Sequence, residues 1–122
     1  MTRLLRLVVL VVLVALSVSG VAWAQDQRQF VVVYVEFKPA QTEHGKRVLQ
    51  ELAAVARRSP GSITFTVLDE IERANRFALF ELWTTSQAFE DFTGSPKAQV
   101  LLQVIDPLLA APLDQRPGNL IR

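Results

Sequence analysis

The stretch Arg76-Phe-Ala-Leu-Phe-Glu-Leu-Trp-Thr-Thr-Ser-Gln-Ala-Phe89 (RFALFELWTTSQAF) decides the fold of this chain. Its first eight residues read as a strand, rich in aromatic and aliphatic side chains. One of them, Glu81, is a carboxylate two positions before Trp83. The strand then gives way to Thr84-Thr-Ser-Gln87, which matches a capping box. In such a box a hydroxyl and a glutamine three residues later satisfy the free amides of a helix start. A short helix is expected from there to about Phe92, with Gly94 as its stop. Ser95-Pro96 reads as a second N-cap and first turn. The next helix should run to about Leu109, with Leu101, Leu102, Ile105, Leu108 and Leu109 on one side and a bend at Pro107.

Upstream, Phe30 to Phe37 (FVVVYVEF) is a β-branched, aromatic run stopped by Pro39. From Ala40 to Arg58 the apolar positions Val48, Leu49, Leu52, Val55 and Ala56 have helical spacing. Ser59-Pro-Gly61 ends that helix, since proline cannot continue it and glycine accepts a left-handed backbone. Ile63 to Leu68 (ITFTVL) is a second strand, and the charged segment Asp69–Asn75 leads to the third. The tail Asp114–Arg122 holds at most a short last strand at Asn119–Ile121. The order is β-α-β-β-α(α)-β. It predicts an α+β, ferredoxin-like split βαβ fold: one antiparallel sheet with helices on one face.

The 122 residues suffice for one domain. Residues 1–24 read as a secretory signal peptide: Arg3 and Arg6, an apolar run from Leu7 to Val18 broken by Ser17, then Ala22-Trp-Ala24 as a cleavage site. The domain is then 25–122, and the expected location is the periplasm or the outside of the cell. The alternative is a retained anchor, although the run is short for a spanning helix of ~20 residues. That segment is the only part of the chain expected to meet a membrane. Without Arg3 and Arg6, 11 basic residues face 12 acidic ones, a balance that excludes a nucleic-acid-binding surface. The chain has no cysteine, so its core or a partner chain must hold it together.

Side chains alternate across a strand. Val31, Val33, Val35 and Phe37 form one all-apolar set. Ile63, Phe65 and Val67 form another, and Ala78, Phe80 and Leu82 a third. These three sets are expected under the helices. The opposite sets would carry Val32, Tyr34, Glu36, Thr64, Thr66, Leu68, Phe77, Leu79, Glu81 and Trp83, a face too apolar for water. A second copy packed face to face would cover it. The expected product is a homodimer enclosing an apolar chamber. Glu81 and Glu36 are its candidate bases. Tyr34, Trp83, Thr64, Thr66, Phe77 and Leu79 are its candidate substrate contacts. A carboxylate in such a chamber has its pKa raised and suits general-base chemistry. The structural alternative is that Glu81 pairs with Arg57, Arg58 or Arg76, or with a backbone amide.

Tyr34-Val-Glu-Phe-Lys-Pro39, Ser59-Pro-Gly61, Arg76 to Trp83, Ala88-Phe89 and Ser95-Pro96 together resemble the antibiotic biosynthesis monooxygenase family in order and spacing, over about Phe30 to Leu109. The resemblance implies a dimeric α/β barrel. It also implies, as in some members, oxidation of quinols or polyphenols by dioxygen with no metal or flavin cofactor; others degrade haem. The family often has histidine after the Ala-Phe pair and again after Ser-Pro. Here Phe92 and Lys97 hold those positions. The first strand also lacks the asparagine, and the later helices lack the tryptophan and histidine, of haem-degrading members. The second departure speaks against haem degradation, and the first favours ligand binding without turnover.

His44 is the sole histidine and is expected at the surface of the first helix. One histidine and no cysteine leave no residue set for a metal site, and none is expected. No phosphate-binding glycine loop or nucleophile motif is present. Two functions follow. The first is cofactor-free oxidation of a small electron-rich aromatic such as a quinol. The second is binding of a small hydrophobic ligand without turnover. A chamber filled by its own side chains would support neither.

Overall fold

The computed structural model describes residues 26–121. The leader expected over 1–24, with its cleavage before Gln25, lies outside the described residues. No helix among the described residues is long and apolar enough to cross a membrane.

The elements are β1 (Gln29–Glu36), α1 (Thr42–Arg57), β2 (Ser62–Asp69), β3 (Arg76–Trp83), α2 (Ser86–Thr93), α3 (Pro96–Ile105) and β4 (Asp114–Gly118). Short 3-10 turns at Pro39–Gln41 and Asp106–Leu108 join them. The four strands form one antiparallel sheet in the order β2-β3-β1-β4. The helices cover one face, as the split βαβ pattern requires.

Several boundaries differ from expectation for local reasons. Thr85, not Thr84, caps α2, its hydroxyl accepting from the Ala88 amide at 3.1 Å. The position that would complete a box from Thr85 is Ala88, and Gln87 instead donates to Asp91 at 2.8 Å along the helix. Pro107 ends α3 rather than bending it; the chain tightens into a 3-10 turn there. The last strand is Asp114–Gly118, earlier than Asn119–Ile121, and it contains Pro117. Proline is tolerated there because β4 is an edge strand. His44 is exposed, as expected.

The core is built from Val31, Val33, Val35 and Phe37 of the first strand and its extension, Val48, Leu49, Leu52 and Ala56 of α1, and Ile105 of α3. Two glycines are dictated by packing. Gly61 turns the chain into β2 with φ of 82°, a value that disfavours side chains. A Cβ on Gly45 would lie 2.5 Å from the ring of fully buried Phe37, so α1 can approach β1 only with glycine there. One carbonyl of the edge strand β2 is also bonded from α1. Arg57 at the end of α1 donates from Nε and Nη2 to Phe65 O at 3.1 and 2.8 Å.

Gly45→Ala should destabilise the protein by about 1–2 kcal/mol, because the overpacking outweighs the ~1 kcal/mol of helix propensity gained. Urea midpoints check this. Phe37→Leu in the same background should show a favourable coupling of at least ~0.5 kcal/mol in a double-mutant cycle.

Candidate functional site

The pairing register decides which way Glu81 points. Val31 of β1 and Phe65 of β2 both lie directly opposite it. Residues opposite one another in an antiparallel pair share a face, so Glu81 lies beneath the helices with the core. Phe77, Leu79 and Trp83 share that side and are buried. This corrects the expected chamber. Ala78, Phe80 and Leu82 face away from the helices, and Phe80 is 43 % exposed. Ile63 is also out of the core. An irregularity between Ser62 and Thr64 shifts the register and leaves it exposed.

The eight candidate residues therefore divide between two faces. Glu81, Trp83, Phe77 and Leu79 lie on the helix side. Tyr34, Glu36, Thr64 and Thr66 lie on the open side, with Val32, Leu68 and Phe80. They do not share one chamber. Apolarity could not orient β3, because both of its alternate sets are apolar apart from the charge.

On the helix side Glu81 is the one buried charged residue among the described residues. The indole N–H of Trp83 donates to its Oε1 at 3.0 Å. None of Arg57, Arg58 and Arg76 bonds it: Arg57 serves the β2 carbonyl, and Arg76 lies beside Glu36. Burial pushes the Glu81 carboxyl up from its ordinary 4.5 to about 7, and the indole hydrogen bond pulls weakly the other way. Near neutral pH the group is thus divided between acid and base, suited to accepting and returning a proton.

Trp83 is fully buried. It stacks on Phe92 at 5.0 Å between ring centroids and tilts against Phe89 at 6.2 Å. Phe92 also meets Phe65 edge-on at 6.1 Å. Phe65, Phe89 and Phe92 read as packing residues in the sequence. The alignment of Phe65 with Glu81 across the sheet was the signal that joins them to the carboxylate. Phe92 is the one fully buried residue of α2.

Glu81 lines none of three cavities bounded by described residues. One of about 440 Å³ runs between α1 and the edge of β2, past Lys46, Gln50, Val67 and Phe77, and reaches Thr66 at that edge. One of about 420 Å³ lies between Val55, Pro60 and Pro96. The third, of about 390 Å³, is lined by Tyr34, Glu36 and Arg76 together with Val35 and Phe77 of the helix side. Among the described residues no group of three or more histidine, aspartate or glutamate side chains suits a metal ion.

The family model for antibiotic biosynthesis monooxygenase matches residues 28–103. No curated protein matches the sequence. Among solved structures, a protein of Nitrosomonas europaea provisionally described as an antibiotic biosynthesis monooxygenase superposes with a TM-score of 0.73 at 20% identity, covering 79% of this chain and 92% of its own. Rv0793 of Mycobacterium tuberculosis gives 0.73 at 16%, covering 78% and 96%. A mutant of SnoaB, a cofactor-independent oxygenase of Streptomyces nogalater, gives 0.71 at 19%, covering 79% and 95%. At these identities the likeness is one of fold.

The raised Glu81 carboxyl sets a pH signature. Its folded value lies above its unfolded one, so the folded state holds the proton more tightly. Its contribution to stability is full below about 4.5 and is lost as pH rises through about 7. Each tenfold gain in proton affinity on folding is worth about 1.4 kcal/mol, so wild type should lose about 2–3 kcal/mol over that window relative to Glu81→Gln. Urea midpoints at each pH read this. Trp83→Phe removes the one group that pulls the value down, and NMR titration of the Glu81 carboxyl should find it higher still.

Proposed function

The chain belongs to the antibiotic biosynthesis monooxygenase family, and from that membership we propose that it is a cofactor-independent oxygenase of a small quinol or polyphenol. The observation that carries this reading is the buried Glu81 carboxyl, titrating at about 7 and held by the Trp83 indole. Glu81 takes a phenolic proton. The phenolate passes one electron to dioxygen, and the semiquinone and superoxide couple at a ring carbon. The peroxide then loses water, using the proton Glu81 returns, as a new ring carbonyl forms. One oxygen atom enters the product and one leaves as water, and the ring supplies all four electrons. The surrounding aromatic side chains keep bulk water from the radical pair. Access requires α2 to swing out. With only Phe92 deeply buried, α2 has the least core contact to lose, and the substrate ring takes the place of Phe92 against Trp83.

A second reading is a small-molecule binding protein without turnover. It is favoured by the three cavities bounded by described residues, which lie away from the Glu81 carboxylate. Under either reading the open face packs against a second copy, with Tyr34, Leu68 and Phe80, each 43–50 % exposed, at the contact. The apolar, basic-flanked residues 1–24 support export to the periplasm or beyond.

Oxygen uptake against hydroquinones and catechols tests the first reading. Uptake should exceed autoxidation and fall at least ~100-fold in Glu81→Gln. Uptake no faster than autoxidation across the panel would leave the binding reading. For the dimer, Phe80→Glu should sediment as a monomer where wild type sediments at twice the mass; a monomeric wild type would refute the packing.

A further inference from the structure

Phe65 is the side chain of β2 that stands against Glu81. The Glu70 amide donates to Arg76 O, so Glu70 and Arg76 form a hydrogen-bonded pair. Alternation along the β2–β3 register then makes Phe65 and Glu81 a non-hydrogen-bonded pair. Side chains in such pairs approach most closely, with Cα atoms about 4.5 Å apart. Both residues are buried, and Phe65 also meets Phe92 edge-on at 6.1 Å. Phe65 is therefore the ring that keeps water from the carboxylate on its β2 side.

That ring sits on a strand with little to hold it. β2 is an edge strand, and its pairing with β3 is irregular between Ser62 and Thr64, just before Phe65. The carbonyl of Phe65 points away from β3 and is gripped by Arg57 instead, whose Nε and Nη2 both donate to it at 3.1 and 2.8 Å. A planar guanidinium offers its donors in a rigid fork, which fixes the direction of the carbonyl as well as its distance. Arg57 also lines the cavity of about 440 Å³ between α1 and the edge of β2, whereas Phe65 and Glu81 do not. The fork thus lies on the boundary between that solvent space and the buried carboxyl.

Charge is not the link between Arg57 and Glu81. Val31 of β1 and Phe65 of β2 lie opposite the carboxylate, and Phe89 and Phe92 of α2 pack on its Trp83 partner. The buried residues of α1 and α3 are all apolar or glycine. Burial and the Trp83 hydrogen bond account for the Glu81 shift, with no contribution from a charged group of any element. We propose that Arg57 is a positioning residue for the Glu81 site: its fork on Phe65 O holds the Phe65 ring against the carboxylate and shuts that side to water. The proposal deepens the oxygenase reading and rests on it for its meaning in turnover, because a base that water reaches loses the proton affinity its role requires.

NMR titration of the Glu81 carboxyl in the full-length protein tests this without substrate. In Arg57→Ala water should enter, and the carboxyl pKa should fall from about 7 toward 4.5, with about a tenfold loss of proton affinity. Arg57→Lys keeps the charge but not the fork; it should show a smaller fall, and it serves where Arg57→Ala does not fold. Gly45→Ala, which strains α1 at its other end, should leave the value in place. An unchanged value in the Arg57 variants would overturn the proposal, since the fork would then serve the fold alone. A rise in Arg57→Ala would overturn it too, because loss of a cation that acts through its charge raises a carboxyl. So would an equal fall in Gly45→Ala, the mark of general loosening. Where a quinol is turned over, the acid limb of kcat/KM should move to lower pH in Arg57→Lys together with the titration. A wild type that turns over no quinol would remove the oxygenase reading and leave the titration to decide the role of Arg57.

Discussion

A carboxylate can lie in the core of this fold because an indole two residues along the same strand reaches it. Residues i and i+2 of a strand point to one side, and this spacing lets Trp83 donate to Glu81 without leaving β3. Everything around the pair follows from that geometry. The helix that covers it supplies aromatic rings, which exclude water and offer no cation. The carboxyl therefore shifts toward its neutral form instead of forming an ion pair. A structural salt bridge would have held it ionised; the indole leaves it able to change state.

The order of elements was legible in the sequence, and so were the turn at Gly61, the cap at Ser95 and the all-apolar face of β1. Each rests on a local signal: a backbone angle, a side-chain hydrogen bond or a single unbroken apolar set. The face presented by β3 was not legible, for a physical reason. Phe77, Leu79 and Trp83 alternate with Ala78, Phe80 and Leu82, so neither set is polar enough to mark the outside. Only the pairing with β1 and β2 settles the orientation, and pairing is a property of three distant segments. The same gap hid the division of the candidate site. Tyr34 and Glu81 looked like neighbours as long as the face of β3 was taken from composition.

The two faces of the sheet have different characters as a result. The helix side is dry and aromatic, with one titrating group. The open side has exposed aromatic and aliphatic residues, and at one end a charged cavity that reaches the helix side. Family membership bears on the fold as a whole, and the low identities to its solved relatives leave the side chains of both faces to be judged on their own chemistry.

The two bonds from Arg57 to Phe65 O bear on how the chain behaves before it is fully folded. A free strand edge is a template for any other extended chain, and β2 is an eight-residue edge rich in β-branched and aromatic side chains. The guard on that edge belongs to α1, so it exists only once the helix has docked. Until then the edge can recruit a neighbouring molecule. The race between helix docking and chain encounter, a first-order step against a second-order one, sets the concentration above which the protein aggregates as it folds.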